Sequence, residues 1–310
     1  MNTDHGRRLR PKEKALFRAI ERRDLPSIRA LLKEGVDPNA AEWSDYTGNH
    51  TVLMHAAGLL YPEAVELLLK AGADPTAATV AGLGAGGGYT ALLDAINGSD
   101  PAGDEPDEDS DRSGRLKVVD LLLQAGADPY AVYDGEDTPV ESAANAGDLQ
   151  VVKLLIAAGA DPKNWPQGCV PPLVGAAHGG HADIVLFLIE QGAPVDGETA
   201  DGVTPLMVAA YRGAEVVLSL LLEQGAEVNH TAKDGQTPLI RAALYARDAL
   251  TEREHEVALR VVKRLLEAGA DLKVRDHQGK TALDYASVAH NPLVPDFLKQ
   301  AARAKPKKRK

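Results

Sequence analysis

The sequence predicts an all-α solenoid built from about eight helix-turn-helix units. An apolar helix end closed by Gly-Ala-Asp, or a near relative, recurs seven times, and three successive intervals between its glycines are 33 residues. A fixed period of roughly 20–50 residues is typical of stacked units that share one continuous core. Apolar residues make up 44% of the chain and aromatics only 4%, which suits thin helical layers. The closing glycines are Gly35, Gly72, Gly126, Gly159, Gly192, Gly225 and Gly269.

Residues 204–237 show how one unit is predicted to fold. Thr204 is a good N-cap, and Pro205 suits the first helical position because its missing N–H would be unpaired there. Gly213 ends the first helix, and Gly225 ends the second because glycine adopts the left-handed conformation without strain. The apolar stripe predicted for the second helix is Val216, Val217, Leu220 and Leu221. An extended finger with a tight tip then leads to the next unit.

This pattern resembles the ankyrin-repeat family, whose 33-residue unit is a β-turn plus two helices that starts near Thr-Pro-Leu-His-x-Ala. The resemblance covers residues from about 11 to 301. It implies an ankyrin-repeat solenoid with β-turn fingers that binds proteins and has no enzymatic activity. The openings are Thr51, Thr90, Thr138, Pro171, Thr204, Thr237 and Thr281. The family histidine is replaced by Met54, Leu93, Glu141, Val174, Met207, Ile240 and Asp284.

Two fingers and two units depart from the regular length. The first two fingers span 16 and 18 residues from glycine to threonine, where 12 is usual. The third unit has an insertion near 99–113 that contains six acids in a row of eight residues, and we expect an acidic loop there. The seventh unit has an insertion near 244–255, where Thr251 and Glu254 form a capping box, so both helices should lengthen.

The chain should form one repeat domain over residues 11–302, with a basic segment at 1–10 and a disordered basic tail at 303–310. The net charge is −11, but residues 1–23 carry +5 and residues 299–310 carry +7, which leaves −23 on the middle. An acidic surface favours a basic protein partner over nucleic acid. Alternatively, the charge only keeps an elongated protein soluble.

Several further properties follow as expectations. No run approaches the roughly 18 apolar residues of a membrane span, and the start lacks a secretory signal. With Cys169 as the single cysteine, no internal disulfide can form, which agrees with a reducing compartment. We therefore expect a cytoplasmic, monomeric protein without a membrane partner. In a eukaryotic source, Lys307-Lys308-Arg309-Lys310 would favour a nuclear location.

The candidate partner-binding residues lie where the resemblance places a concave groove, on finger tips and first helices. Tyrosine and tryptophan are enriched at interface hot spots, and six of the thirteen aromatic residues occur in the first four fingers. Alternatively, these rings fill small cores of the longer fingers. The candidates are Trp43, Tyr46, Tyr89, Tyr130, Tyr133 and Trp165 in fingers, and His178, Tyr211, Arg212 and Tyr245 on first helices.

The sequence contains only weak signals for catalysis or for cofactor or metal binding. The Gly82–Gly88 finger matches GxGxxG, but no strand or βαβ unit surrounds it, so the glycines favour a flexible tip over a nucleotide site. His178 and His181 are three residues apart without a third metal ligand nearby, and Cys169 has no recognisable base. We therefore expect no cofactor or metal. An alternative function is an enzyme or a nucleotide or metal binder that uses this finger. Resemblance to ankyrin substrates of asparaginyl hydroxylases would point to Asn39 or Asn229.

Overall fold

A computed structural model gives the structure of the chain and describes residues 9–44, 48–79, 88–98, 108–132, 137–288 and 292–303. These residues form eight helix pairs, and a finger joins each of the first seven pairs to the next. The predicted all-α repeat fold is therefore confirmed.

Each pair consists of a first and a second helix. The first helices are α1 (Pro11–Glu21), α3 (Val52–Gly58), α5 (Ala91–Asn97), α7 (Pro139–Ala146), α9 (Pro172–Gly179), α11 (Pro205–Arg212), α13 (Pro238–Asp248) and α15 (Ala282–Ala286). The second helices are α2 (Leu25–Lys33), α4 (Pro62–Lys70), α6 (Glu108–Gln124), α8 (Leu149–Ala157), α10 (Ala182–Glu190), α12 (Glu215–Glu223), α14 (Glu252–Glu267) and α16 (Leu293–Arg303).

Six of the eight first helices begin after a threonine, whereas α1 follows Arg10 and α9 follows Pro171. The Thr204 hydroxyl accepts a hydrogen bond from the Met207 backbone N–H at 3.4 Å, which satisfies one of the unpaired donors of a helix start. Ala209 and Ala210 are fully buried, and α11 packs against both α9 and α13. Small side chains let neighbouring helices approach closely, so the alanine pairs hold the first helices in register.

The second helices bury a stripe that differs slightly from the prediction. In α12, Val217, Leu218 and Leu221 are buried, whereas Val216 is 70% exposed. The prediction that Val216 faces the core is therefore wrong. The buried residues follow positions i, i+1 and i+4, which is also a helical spacing. Because the apolar residues here are consecutive, the sequence pattern cannot distinguish this buried stripe from the predicted stripe.

The first finger contains a short hairpin. Strand β1 (Ala41–Ser44) pairs antiparallel with β2 (Gly48–Thr51), and Trp43 lies opposite Asn49. In the second finger Ala78 and Thr90 form an isolated bridge, and the Thr79 N–H donates to the Tyr89 carbonyl at 2.8 Å. The extra finger residues thus satisfy backbone groups by pairing across the finger.

The two predicted insertions have different outcomes. Residues 99–107 lie outside the described part of the chain, but 108–113 belong to α6, so the acidic loop expected over 99–113 does not extend that far. In the other insertion, α13 has 11 residues and α14 has 16.

The chain divides into two compact units. Unit 1 contains residues 1–143 and 148–161, and unit 2 contains residues 144–147 and 162–310. The boundaries fall within α7, just after α7 and after α8. The single repeat domain over 11–302 stays a prediction, and the basic segments at 1–10 and 303–310 lie mostly outside the described residues.

Candidate protein-binding surface

Trp43 is the first candidate aromatic residue of unit 1. It lies half-buried in β1 and lines a cavity of about 210 Å³ together with Asp37, Asn39 and Asn49. Part of its indole ring therefore packs within the first finger, and part remains accessible. Tyr46 lies outside the described residues.

The side-chain hydroxyls of Tyr89 and Tyr130 both form hydrogen bonds within unit 1. The Tyr89 hydroxyl accepts a hydrogen bond from the Asn97 side-chain amide at 3.2 Å. The Tyr130 hydroxyl donates to the Gly159 carbonyl at 2.7 Å, which joins one finger to the next closing glycine. Tyr130 remains 37% exposed, so its ring can still contact a partner. Tyr133 lies outside the described residues.

Trp165 packs between two successive fingers of unit 2. Its Cη2 atom lies 2.9 Å from the place where a Cβ of residue 197 would be, so a larger residue at 197 would displace the indole ring. Trp165 is half-buried. Its ring therefore contributes to finger packing, while the remaining surface is available for binding.

The first helices of unit 2 expose a row of polar and aromatic side chains. Asn145, His178 and Tyr211 follow one another at the repeat period and are all exposed. His178 Nδ1 lies 3.0 Å from Asn145 Oδ1. Tyr211 is 42% exposed, although α11 buries most of its other large apolar residues. The repeat spacing therefore arranges these residues as one ladder.

Arg212 and His178 interact electrostatically along this row. Partial burial lowers the pKa of His178, and the positive charge of Arg212 lowers it further. His178 is therefore neutral at neutral pH and can donate or accept a hydrogen bond. Arg212 is exposed and has no ion pair among the described residues, so its charge is available to a partner.

Tyr245 extends the row onto the next first helix. Its ring lies beside Gly213, 2.5 Å from the place where a Cβ would be, and it is half-buried. Burial raises the pKa of the Tyr245 hydroxyl, and the Glu254 carboxylate adds to this effect. We call the row formed by the exposed residues Asn145, His178, Tyr211 and Arg212 and the half-buried Tyr245 the Tyr211 face.

Sequence reasoning missed two members of this neighbourhood. Asn145 is one repeat period before His178, a signal that was available in the sequence. Arg247 binds Asp248 through two hydrogen bonds of 2.7 and 3.0 Å and interacts electrostatically with Tyr211 and Tyr285. No sequence signal pointed to Arg247, because the longer α13 breaks the period there.

The residues considered for chemistry have structural partners. His181 Nε2 lies 3.1 Å from the Asn145 carbonyl, and its ring packs on the backbone of Gly147 and Gly179. Cys169 is buried. The described residues contain no group of three metal-ligating side chains. Of the Gly82–Gly88 finger only Gly88 is described.

Asn39 and Asn229 each join two successive fingers. The Asn229 side-chain amide donates to the Gly269 carbonyl at 3.1 Å, and its oxygen accepts from the Asp271 N–H at 2.8 Å. Asn39 makes the same two bonds to Gly72 and Asp74, at 3.1 and 2.8 Å. Both asparagines therefore have a structural role whether or not either is modified.

The comparisons with known proteins identify the class of protein. A model described as "Ankyrin repeats (3 copies)" matches residues 2–79, 110–198, 140–232 and 173–253, and one described as "Ankyrin repeat" matches 234–277. The crystal structure of the human ASB11 ankyrin repeat domain aligns with TM-score 0.63 and 24% identity, over 82% of this chain and 99% of that chain. No curated protein sequence matches significantly.

The chain therefore belongs to the ankyrin-repeat family, as the sequence motifs indicated. Ankyrin repeats are generally protein–protein interaction modules. In the described part of the chain, no helix has both the length and the apolar character needed to cross a membrane.

Proposed function

We propose that this chain is a non-enzymatic interaction scaffold that binds a partner protein through first-helix surfaces and finger tips. The observation that carries the proposal is the Tyr211 face of unit 2. An aromatic ring, a charged guanidinium and a neutral imidazole are exposed side by side there, although the fold does not need them for its core.

The chemistry of this face supports protein binding. Tyrosine and arginine are enriched among residues that dominate binding energy, because each combines a large contact area with hydrogen-bonding groups. The ladder from Asn145 to His178 limits the freedom of the imidazole before binding. Less conformational entropy of this chain is therefore lost when a partner binds.

The charge distribution supports a partner with basic regions for the scaffold as a whole. The middle of the chain carries −23, which repels nucleic acid and attracts basic surfaces at low salt. A monomer in the cytoplasm, with the nucleus as the alternative in a eukaryotic source, completes the proposal. Arg212 is a positive charge within this otherwise acidic chain, and it would pair with a hydrogen-bond acceptor on such a partner.

Affinity capture with the full chain tests the Tyr211 face. We expect a stoichiometric partner to be retained by the wild-type chain and by Val216→Ala, and to be lost by Tyr211→Ala/Arg212→Ala. Val216 is a matched control because it is also exposed, but on a second helix. Equal retention by both variants, with unchanged thermal unfolding, would contradict the proposal.

Two substitutions at Tyr130 separate its contacts inside unit 1 from partner binding. Tyr130→Phe removes the hydrogen bond to Gly159, while Tyr130→Ala also removes the exposed ring. We expect the alanine variant alone to weaken capture if the ring contacts the partner, and both variants to lower stability slightly. Capture that falls equally in both variants would assign Tyr130 a structural role only.

A further inference from the structure

Two consecutive second helices of unit 1 border an open groove. The groove between α6 and α8 has a volume of about 770 Å³. On α6, Arg112, Leu116 and Asp120 line it at four-residue intervals, so they lie along one stripe of the helix. It is separate from the Tyr211 face, which belongs to unit 2.

The groove combines an apolar floor with a basic rim. Leu116 and Leu154 are half-buried, one on each helix, and Lys117 and Lys153 are exposed beside them. With Arg112, three cations line the groove against one acid, Asp120, among its described lining residues. Asp120 also accepts a hydrogen bond from the Gln124 side chain at 2.8 Å. The local charge is therefore opposite to that of the whole chain.

The equivalent gap in unit 2 is closed by ion pairs. Between α12 and α14, Arg260 lies 2.8 Å from Glu215, and Arg264 lies 3.3 Å from Glu223. Basic residues of one helix there meet acidic residues of the next. Between α6 and α8 one such pair, Arg115 with Asp148 at 3.6 Å, lies at the start of α8. The groove beside it is lined by three basic residues and one acid among its described lining residues, and this balance favours an external anion.

We propose that this groove binds an acidic segment of a partner protein that carries an apolar side chain. The carboxylates contact Arg112 and Lys117, and the apolar side chain packs on Leu116 and Leu154. Lys117 is available because its nearest acid, Glu63, is 3.9 Å away and both side chains are exposed, so this pair is weak. A phosphate backbone could use the cations but leaves the leucines uncovered.

Fluorescence anisotropy with the full chain and a labelled peptide tests the groove. The probe is Glu-Glu-Leu-Glu-Glu-Leu-Leu-Glu, and its control has every glutamate replaced by glutamine. We expect saturable binding of the acidic probe, weakened by raising the salt from about 0.05 M to about 0.5 M, and at least about tenfold weaker binding of the control. The net charge of −11 opposes this binding, whereas residues 1–23 carry +5 and residues 299–310 carry +7, so matched variants are needed to distinguish the groove from the basic termini.

Matched variants locate the binding. Arg112→Glu/Lys117→Glu should weaken it by at least about tenfold, and Leu154→Gln should also weaken it. Arg29→Glu/Lys33→Glu makes the same charge change on the exposed side of α2 and should have little effect. Tyr211→Ala/Arg212→Ala should bind the probe normally, so this test is independent of the proposed function above.

Three results would overturn the proposal. They are the absence of saturable binding, an equal loss in the two double charge reversals, and equal binding of the glutamine control. A single-stranded oligonucleotide that binds as tightly as the probe, and is unaffected by Leu154→Gln, would show a general polyanion site instead. Circular dichroism melts of every variant verify that the chain remains folded.

Discussion

Glu141 shows how a single residue departs from its family pattern at an energetic cost. It occupies the position of the family histidine at the start of α7 and is 8% exposed. Burial raises the pKa of Glu141 to about 7, and the charge of Asp137 contributes. The folded state therefore binds a proton more tightly than the unfolded state, whose carboxyl has the ordinary value of 4.5.

The first prediction follows from the sign of this difference. Stability from Glu141 is fully present below pH 4.5 and is lost as the pH rises through about 7. Glu141→Gln should therefore increase the free energy of unfolding more at pH 8 than at pH 4. The two effects of the substitution should differ by up to about 3 kcal/mol. Urea unfolding at the two pH values measures this, with Glu190→Gln on the exposed side of α10 as control. An equal effect of Glu141→Gln at both pH values would contradict the assigned pKa.

The second prediction concerns two glycines that follow helix ends in the same left-handed backbone conformation but have different neighbours. Gly213 has φ +66° and the Tyr245 ring beside it, whereas Gly225 has φ +87° and open space. Gly225→Ala should cost about 1–2 kcal/mol of backbone strain. Gly213→Ala adds displacement of the ring and should cost more. Urea denaturation compares them, and similar losses would mean that Tyr245 can move freely.

At the scale of elements, α14 is lengthened by a local signal that the sequence already contains. The Thr251 hydroxyl accepts from the Glu254 N–H at 3.2 Å, and the Glu254 carboxylate accepts from the Thr251 N–H at 2.9 Å. Two otherwise unpaired donors at the helix start are thus satisfied. Most of the insertion near 244–255 is helical, since its residues extend α13 to Asp248 and α14 from Glu252, with only residues 249–251 between them.

The third prediction tests this capping box. Thr251→Ala removes the accepting hydroxyl and should lower the free energy of unfolding by about 1 kcal/mol, whereas Thr251→Ser keeps the hydroxyl and should lower it much less. Thermal unfolding followed by circular dichroism gives both values. If alanine and serine variants unfold alike, the extra turns of α14 are held by packing and not by the cap.

The fingers show why the sequence predicted the elements but not the contacts of the candidate binding residues. The sequence indicated which fingers are long and which carry aromatic rings, because both can be counted. It did not indicate that the Tyr130 hydroxyl would bind the Gly159 carbonyl or that Trp165 would pack over Gly197. These contacts join positions 29 and 32 residues apart, so they exist only after successive repeats have stacked.

At the scale of the molecule, stability should follow the order of repeats. In a solenoid each repeat contacts only its neighbours, so a terminal repeat has one stabilising interface and an internal repeat has two. In unit 2, α11 packs against α9 and α13, whereas the last pair, α15 and α16, packs on α13 and α14 from one side.

The fourth prediction is therefore a gradient of hydrogen exchange within unit 2. Amides of α11 and α13 should exchange more slowly than amides of α15 and α16, because the terminal repeat can open without disturbing the internal ones. Hydrogen–deuterium exchange with mass spectrometry measures this. Uniform protection from α9 to α16 would show instead that unit 2 opens as one cooperative block.

The sequence by itself determined the repeat fold, because threonine caps and closing glycines act locally and, like the alanine pairs, recur at the repeat period. It also located the unusual segments, since irregular spacing is visible without coordinates. Tertiary structure alone decided that Val216 points away from the core, that Tyr245 lies on Gly213, and that α6 and α8 together line a basic groove. Those properties depend on side chains from different repeats meeting in space, and the free energy of such contacts is not encoded in any one segment.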